Sequence, residues 1–192
     1  MLSDMECVEK VIRGETECFD LLVERYRSKV QSLVYNHVRQ SETAQDLTQD
    51  IFFKVFRKLD KFKGESKFSS WLYRIAVNEC IDYIRSHKKK AEESLELAFE
   101  KGFEVLDTSE YSDVQGRHER KVERQLVQKA LATLTPEMRS VIVLKVYEER
   151  TFEEISEILS IPTSTVKSRL YKALENLGRS YRRRTLLREV TP

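Results

Sequence analysis

The sequence predicts an all-α protein built from two small helical domains that are joined by a flexible acidic linker. The 192 residues include only five glycines and three prolines, which leaves little material for the tight turns of β architectures. Charged residues make up 34% of the chain, and most are Lys, Arg and Glu, which favour helices. Apolar residues repeat at helical spacing over most of residues 1–90 and 119–192, whereas residues 91–118 lack a clear period.

Four helices are predicted in the first domain, residues 1–90, because each carries an apolar stripe that repeats every three or four residues. The stripes are separated by short polar segments that favour turns. The first helix ends near Gly14, the second begins near Glu17, the third runs over about 44–62 with a cap near Ser41, and the fourth runs over about 68–89.

The predicted linker, residues 91–118, is acidic, with eight acids against Lys101 and Arg117, and one helical turn around Leu95 to Phe99 is its expected regular structure. Helical structure resumes near Glu119 in the second domain, residues 119–192. A new helix is expected at Pro136, because proline is tolerated in the first helical turn.

Residues 151–174, TFEEISEILSIPTSTVKSRLYKAL, have the pattern of a helix-turn-helix. Ser156 is the small residue where the two helices cross, and Thr163 or Ser164 can cap the second helix. Ser160 occupies a turn position that is usually Gly, so the turn must tolerate a side chain. The predicted apolar anchors are Ile155, Leu159, Ile161, Val166 and Leu170.

The second helix of this motif exposes polar and basic side chains that suit phosphates and base edges. A generic helical hairpin with a solvated basic face is the alternative. Clustered arginines from Arg179 to Arg184 favour DNA, because cations gain affinity from counterion release. The candidate DNA-binding residues are Ser164, Thr165, Lys167, Ser168, Arg169 and Lys172.

The third helix carries an acidic face formed by Asp46, Gln49 and Asp50, whose i, i+3, i+4 spacing puts them on one side. Phe53 falls on the same outward side, and no Lys or Arg lies between Gln40 and Phe53. A solvated surface, a metal site with Asp46 and Asp50 as ligands, and a protein-docking surface are the open interpretations. A metal site needs further acids or histidines, and a solvated surface leaves Phe53 unexplained.

The fourth helix and the loop before it combine aromatic, amide and basic side chains on one side. Stacking, base-edge hydrogen bonds and phosphate contacts are what unstacked single-stranded bases require. Packing of Trp71 against a neighbouring helix, with a solvated basic end, is the alternative. The candidate residues for single-stranded nucleic acid are Lys63, Ser66, Lys67, Phe68, Trp71, Arg74, Asn78, Arg85 and Lys88.

The order of these features resembles the sigma-70 family of RNA polymerase sigma factors, extracytoplasmic-function (ECF) group. The most specific segment is FKGESKFSSWLYRIAVNECIDYIRSHKKK, and VIVLKVYEERTFEEISEILSIPTSTVKSRL matches the C-terminal domain almost as well. The resemblance implies that residues 1–90 correspond to region 2 and residues 119–192 to region 4. An acidic linker between them and the absence of a third domain are typical of this minimal group.

The resemblance also implies roles for the candidate residues. Asp46, Gln49, Asp50 and Phe53 would bind the coiled coil of the largest polymerase subunit, although Asp50 replaces the family's more frequent Glu. The loop before the fourth helix, with Asn78, would capture a flipped base of the −10 promoter element. The second helix of the helix-turn-helix would read the −35 element, and the other side of that domain would meet the polymerase flap.

Two other classes of function stay open on the residues alone, a free-standing helix-turn-helix regulator and a nucleic-acid enzyme. No Ser/His/Asp set, glycine-rich phosphate loop or converging carboxylates support an enzyme. We expect a non-enzymatic sigma factor with no metal or cofactor, acting in the cytoplasm on a stress or envelope regulon. Its implied partners are core polymerase, promoter DNA and an anti-sigma factor, without membrane insertion. Cys7, Cys18 and Cys80 are expected to be reduced thiols.

Overall fold

The structure is a computed structural model that describes the backbone of residues 2–100, 131 and 133–190, and the side chains of residues 2–87, 131 and 133–179. These residues form seven α-helices and, within the described ranges, no strand. The all-α prediction is therefore confirmed. All three cysteines are free thiols, as expected. Within the described residues, no helix has both the length and the apolar character to span a bilayer.

The first domain contains four α-helices, and their buried apolar side chains belong to a cluster that continues into the second domain. Helix α1 begins after a capping box in which Ser3 and Glu6 satisfy each other's backbone N–H groups. Leu22, Leu33, Ile51 and Leu72 are fully buried at the centre of this domain. The helices are α1 Asp4–Ile12, α2 Cys18–Val38, α3 Ser41–Arg57 and α4 Phe68–Glu100, with a 3₁₀ turn at Leu59–Lys61.

Three predicted helix boundaries in the first domain are wrong. Ser41 is the first residue of α3 and not its cap, because Gln40 takes the N-cap position with extended backbone angles. The same helix ends at Arg57, and a 3₁₀ turn covers the residues predicted to continue it. Helix α4 runs on to Glu100, so residues 91–100 of the predicted linker are helical. Their Ala, Glu and Leu content explains this, since these residues have high helix propensity.

The second domain carries three further helices. Helix α5 is Pro136–Ile142, with Thr135 as N-cap and Pro136 in the first turn as predicted, and a π-helical turn, Val143–Tyr147, continues it. Helix α6 is Phe152–Leu159 and helix α7 is Thr163–Val190. The rest of the predicted linker and the predicted helix after Glu119 lie outside the described residues, apart from a helical Leu131.

The two domains pack against each other along an interface that we call the seam. On one side are α2 and α4 of the first domain, and on the other are α5, the π-helical turn and α6 of the second domain. His37 of α2 is fully buried there, and its imidazole Nε2 lies 3.2 Å from the hydroxyl oxygen of Ser140 in α5. The seam therefore places the helix-turn-helix beside α4.

Candidate nucleic-acid interface and docking surface

The acidic face of α3 is present on the surface as predicted. Asp46, Gln49 and Asp50 are all exposed, and Phe53 is 64% exposed beside them. The guanidinium of Arg57 lies 5.8 Å from the centre of the Phe53 ring. The opposite side of α3 is buried, which fixes this orientation of the helix; its core residues are Leu47, Ile51, Phe52 and Val55.

An apolar groove adjoins this acidic face. Phe19 of α2 packs edge-on against Phe56 of α3, with ring centres 5.1 Å apart. Together with Phe52 and Phe53 they line an open groove of about 470 Å³, whose rim includes Asp20. Exposed aromatic rings are enriched at protein-binding surfaces, and the neighbouring acids favour a partner of opposite charge. Among the described side chains, no group of three or more acids, histidines or cysteines is placed to hold a metal ion.

The loop before α4 rests on an aromatic cluster. Phe62, Phe68 and Trp71 have ring centres 5.2 to 6.0 Å apart. Phe68 is only 3% exposed, so its ring belongs to the core, whereas Trp71 is half-buried. Lys63 and Lys67 are exposed and Ser66 is half-buried. The loop is thus a polar, basic edge supported from below by aromatic rings.

Gly64 gives this loop its turn. Its φ of +73° is a conformation that costs an L side chain energy, and an added Cβ would lie 3.2 Å from the methyl carbon of Met5. Helix α1 therefore packs its Met5 side chain directly against the loop. This support was not predicted from the sequence, because residues so far apart along the chain meet only in the folded domain.

The predicted nucleic-acid side of α4 faces the second domain. Arg74 Nη2 donates to the carbonyl oxygen of Glu157 at 2.7 Å, and its Nε donates to that of Ile158 at 3.3 Å. Arg85 forms a 2.6 Å salt bridge with Glu137 of α5. Asn78 is exposed and lines a cavity of about 460 Å³ between the domains, which Arg169 of α7 also lines. The side chain of Lys88 lies outside the described residues.

The helix-turn-helix forms from α6 and α7. Ser160 adopts the left-handed conformation, with φ 54°, so the turn does carry a side chain at the position usually filled by Gly. The hydroxyl of Ser156 donates to the carbonyl oxygen of Ile161 at 2.6 Å, which ties α6 to the turn. Helix α7 starts at Thr163, so the predicted cap at Thr163 or Ser164 is wrong.

The outward side of α7 is available to a ligand. Ile155, Val166 and Leu170 are buried anchors as predicted, while Leu159 and Ile161 are half-buried. Ile158 is a further anchor that the sequence analysis missed, although its spacing from Ile155 is helical. Four of the candidate DNA-binding residues, Ser164, Lys167, Ser168 and Lys172, are exposed; Thr165 and Arg169 are half-buried.

The polar residues of the seam were not predicted from the sequence. Arg139 of α5 donates to the carbonyl oxygen of His37 at 2.8 Å and to that of Leu131 at 2.9 Å. Burial, opposed by a hydrogen bond from the ring to the carbonyl of Leu33, lowers the pKa of His37 to about 4, so the ring is neutral. The partners lie about a hundred positions apart along the chain, and no local pattern in the sequence marks them.

Three guanidiniums of the seam and its surroundings are incompletely paired. The Nε atoms of Arg39, Arg139 and Arg150 are buried without a hydrogen-bond acceptor among the described residues. The other ends of these side chains are engaged. Arg39 donates to the hydroxyl of Tyr147 at 3.0 Å, and the guanidinium of Arg150 lies 4.8 Å from the centre of the Tyr73 ring.

Two family models match separate parts of the chain. The family model described as Sigma-70 region 2 matches residues 22–90, and the one described as Sigma-70, region 4 matches residues 124–177. The chain is similar to the ECF RNA polymerase sigma-E factor of Escherichia coli K12, with 35% identity over 179 residues that cover 91% of this chain and 92% of the relative.

Two further similarities extend over nearly the whole chain. The RNA polymerase sigma-H factor of Pseudomonas aeruginosa is 30% identical over 190 residues, which are 97% of each chain. The solved structure of CnrH in complex with the cytosolic domain of CnrY has a TM-score of 0.64 at 20% identity, covering 96% of this chain and 97% of that one. The chain belongs to the ECF group of the sigma-70 family, the RNA polymerase sigma factors that act in transcription initiation.

Proposed function

We propose that this chain is a cytoplasmic specificity subunit that docks on core RNA polymerase through α3, captures the −10 element at the loop and face of α4, and reads the −35 element with α7. It performs no chemistry of its own. The observation that carries the proposal is the presence, on one chain, of an exposed acidic and aromatic face on α3, an exposed basic loop before α4 and an exposed polar and basic side of α7.

The docking part of the proposal rests on Asp46, Gln49, Asp50 and Phe53. Their side chains point away from the core, and a ring that is 64% exposed gains little from water contact. Acidic side chains of this kind favour a basic partner through electrostatic complementarity. The coiled coil of the largest polymerase subunit, which the family resemblance implies as partner, is our candidate for that surface.

For the −10 element, we propose that the exposed and half-buried side chains of the loop and of α4 contact the bases, and that buried side chains hold the loop in place. Lys63, Ser66 and Lys67 form the accessible edge of the loop, and Trp71 offers part of its ring for stacking. Phe68 supports them from the core. Arg74, Asn78 and Arg85 extend this surface along α4, and Lys88 continues the same helix.

The −35 part of the proposal assigns duplex reading to the exposed side of α7. A recognition helix places the side chains of its first turns in the major groove, where base pairs are distinguishable. Ser164, Lys167 and Ser168 are exposed in those first turns. An anti-sigma factor that covers both domains, and a regulon for stress or envelope responses, are the regulatory features that we propose from the family resemblance.

Transcription by reconstituted holoenzyme tests the proposal. The chain is mixed with core polymerase and genomic promoter fragments, and the RNA 5′ ends are mapped. We expect initiation at discrete sites that depends on both the chain and the core enzyme. DNA binding without core, combined with no initiation, would instead indicate a free-standing helix-turn-helix regulator.

Charge reversal tests the docking surface separately. The double variant Asp46→Lys/Asp50→Lys should lose core affinity by about tenfold or more, because each like-charge contact at an interface is costly. Glu24→Lys, on an exposed position of α2, is the matched control. Equal core affinity in the double variant and the control, with folding intact by circular dichroism, would rule out docking through this face.

A further inference from the structure

Two arginines cap helices across the seam in opposite directions. The last carbonyl groups of an α-helix lack partners within the helix and form the negative end of its dipole. Arg74 of the first domain donates to two such carbonyls, those of Glu157 and Ile158, at the end of α6. Arg139 of the second domain donates to the carbonyl of His37 at the end of α2. Each domain therefore completes a helix terminus of the other.

Polar contacts to the same face of α4 accompany the caps. The Tyr73 hydroxyl lies 3.3 Å from a carboxylate oxygen of Glu148, and the Ser70 hydroxyl lies 3.2 Å from one of Glu157. With the salt bridge between Arg85 and Glu137, these contacts span more than four turns of α4, from Ser70 to Arg85. The second domain thus lies along the helix and not at a single point.

The groups held in the seam include those proposed to bind promoter DNA. A guanidinium that donates to two carbonyls cannot at the same time face a phosphate or a base with those N–H groups. Asn78 and Arg169, proposed for different promoter elements, face one cavity of about 460 Å³. That volume suits a small molecule, whereas a single strand needs a continuous groove.

We infer that the free chain masks the α4 part of its own −10 surface: the second domain engages Arg74 and Arg85, and these side chains can bind single-stranded DNA only after the domains separate. The inference depends on the proposed function for the role of Arg74 and Arg85. In the closed chain, the C-terminal end of α6 binds Arg74 and Glu137 binds Arg85, and both compete with DNA for these side chains. Apparent DNA affinity is then reduced by the fraction of chains that are open.

Opening the seam from the second domain tests the inference without changing a residue proposed to contact DNA or polymerase. Glu137→Arg replaces the salt bridge to Arg85 with repulsion. Glu153→Arg adds the same charge on an exposed residue of α6 for which the described part of the chain offers no partner across the seam. Tyr147→Ala removes the contact to Arg39 without adding charge, which guards against misfolding of the charged variant.

Two measurements are made on the full-length chain without core polymerase. Small-angle scattering gives the radius of gyration, and fluorescence anisotropy gives the affinity for a random-sequence single-stranded DNA. We expect Glu137→Arg to have a larger radius of gyration and a higher DNA affinity than its charge-matched control, Glu153→Arg. We expect the same two differences between Tyr147→Ala and the wild-type chain. The gain is about tenfold if about one tenth of the wild-type chains are open.

The outcomes separate this inference from the proposed function. Masking is wrong if the wild-type chain already scatters as two separated domains. It is also wrong if both folded variants expand without a gain in DNA affinity over their references, or if neither expands. Failure of core-dependent transcription would refute the sigma activity while leaving the scattering and anisotropy results to decide on masking.

Discussion

Arg74 and Glu157 are joined by a hydrogen bond from the Nη2 atom of the arginine to the backbone carbonyl oxygen of the glutamate, at 2.7 Å. The bond connects the middle of α4 to the end of the first helix of the helix-turn-helix. Because the acceptor belongs to the backbone, substitution of the Glu157 side chain does not remove it. The contact depends on the geometry of the helix terminus and not on the residue at that position.

Alanine substitutions of the neighbouring residues Phe53 and Phe52 should affect different properties, core binding for Phe53 and stability for Phe52. Phe53→Ala should change the free energy of unfolding by no more than about 0.5 kcal/mol, because the ring is exposed, but should weaken binding to core polymerase. Phe52→Ala should cost about 3–5 kcal/mol, because its ring is only 7% exposed. Thermal unfolding and core-binding assays on both variants check this. Unchanged core affinity in Phe53→Ala would remove Phe53 from the docking surface.

Ser160→Gly should stabilise the protein. The left-handed backbone at this position costs a residue with a Cβ about 1–2 kcal/mol, and glycine avoids this cost. The greater freedom of glycine in the unfolded chain offsets part of the gain, which leaves a net stabilisation of about 0.5–1 kcal/mol. Denaturant unfolding measures the difference. A Ser160→Val variant should shift stability in the opposite direction, and a stabilised valine variant would contradict the backbone assignment.

Acidification should open the seam through His37. The pKa of the buried ring is lowered to about 4, and Arg139 and Arg39 add to the effect of burial. In an open form, His37 is exposed to water and has an ordinary pKa near 6.5. Between about pH 6.5 and pH 4 its ring is therefore protonated in the open form and neutral in the closed form. The closed form therefore keeps its full stability above about pH 6.5 and loses about 1.4 kcal/mol for each pH unit between there and pH 4.

Scattering at about pH 7.5 and pH 5 measures this opening, because both values lie on opposite sides of the free imidazole pKa. The radius of gyration should increase at the lower pH. His37→Gln keeps a polar side chain without a titratable group, and it should lose the pH dependence. The same expansion in His37→Gln would assign the effect to other titrating groups.

Lys172→Ala should weaken binding to a −35 duplex without altering stability, because Lys172 is an exposed residue of α7. If its ammonium contacts a phosphate, the slope of log Kd against log salt should fall by about 0.9. A salt titration with a duplex from a mapped promoter gives this slope, and Arg27→Ala on the exposed side of α2 is the control. An unchanged slope would place Lys172 outside the phosphate contacts.

The sequence was sufficient to predict the features that depend on local periodicity. The apolar stripe of α3 placed Ile51 in the core and Phe53 on the surface, and both positions are confirmed. The anchors Ile155 and Val166 were also predicted, because the helix-turn-helix is a compact local motif. The start of α3 was misjudged because Ser41 is a good capping residue, but Gln40 has the extended backbone that a cap requires.

The contacts of the seam could not be predicted from the sequence, because they join residues that are far apart along the chain. Arg74 was assigned to nucleic acid on charge and spacing, and nothing in its neighbourhood along the chain indicates a backbone carbonyl as its partner. Likewise, His37 reads as an ordinary residue near a helix end, where a positive charge is favourable. Its burial as a neutral ring follows only from the placement of α5 against α2.

The unpaired Nε atoms of Arg39, Arg139 and Arg150 lower the stability of the closed form relative to the open form. A buried donor without an acceptor costs about 1–3 kcal/mol, and water can satisfy each of these donors once the domains part. Hydration therefore opposes the attraction between the domains. A partner that prefers the open chain by only a few kcal/mol can then reverse the population, since a shift from about 1:99 to 99:1 needs about 5.5 kcal/mol. The closed chain is therefore only modestly favoured over the open one, and any partner that binds the open form with enough extra affinity shifts the equilibrium toward it.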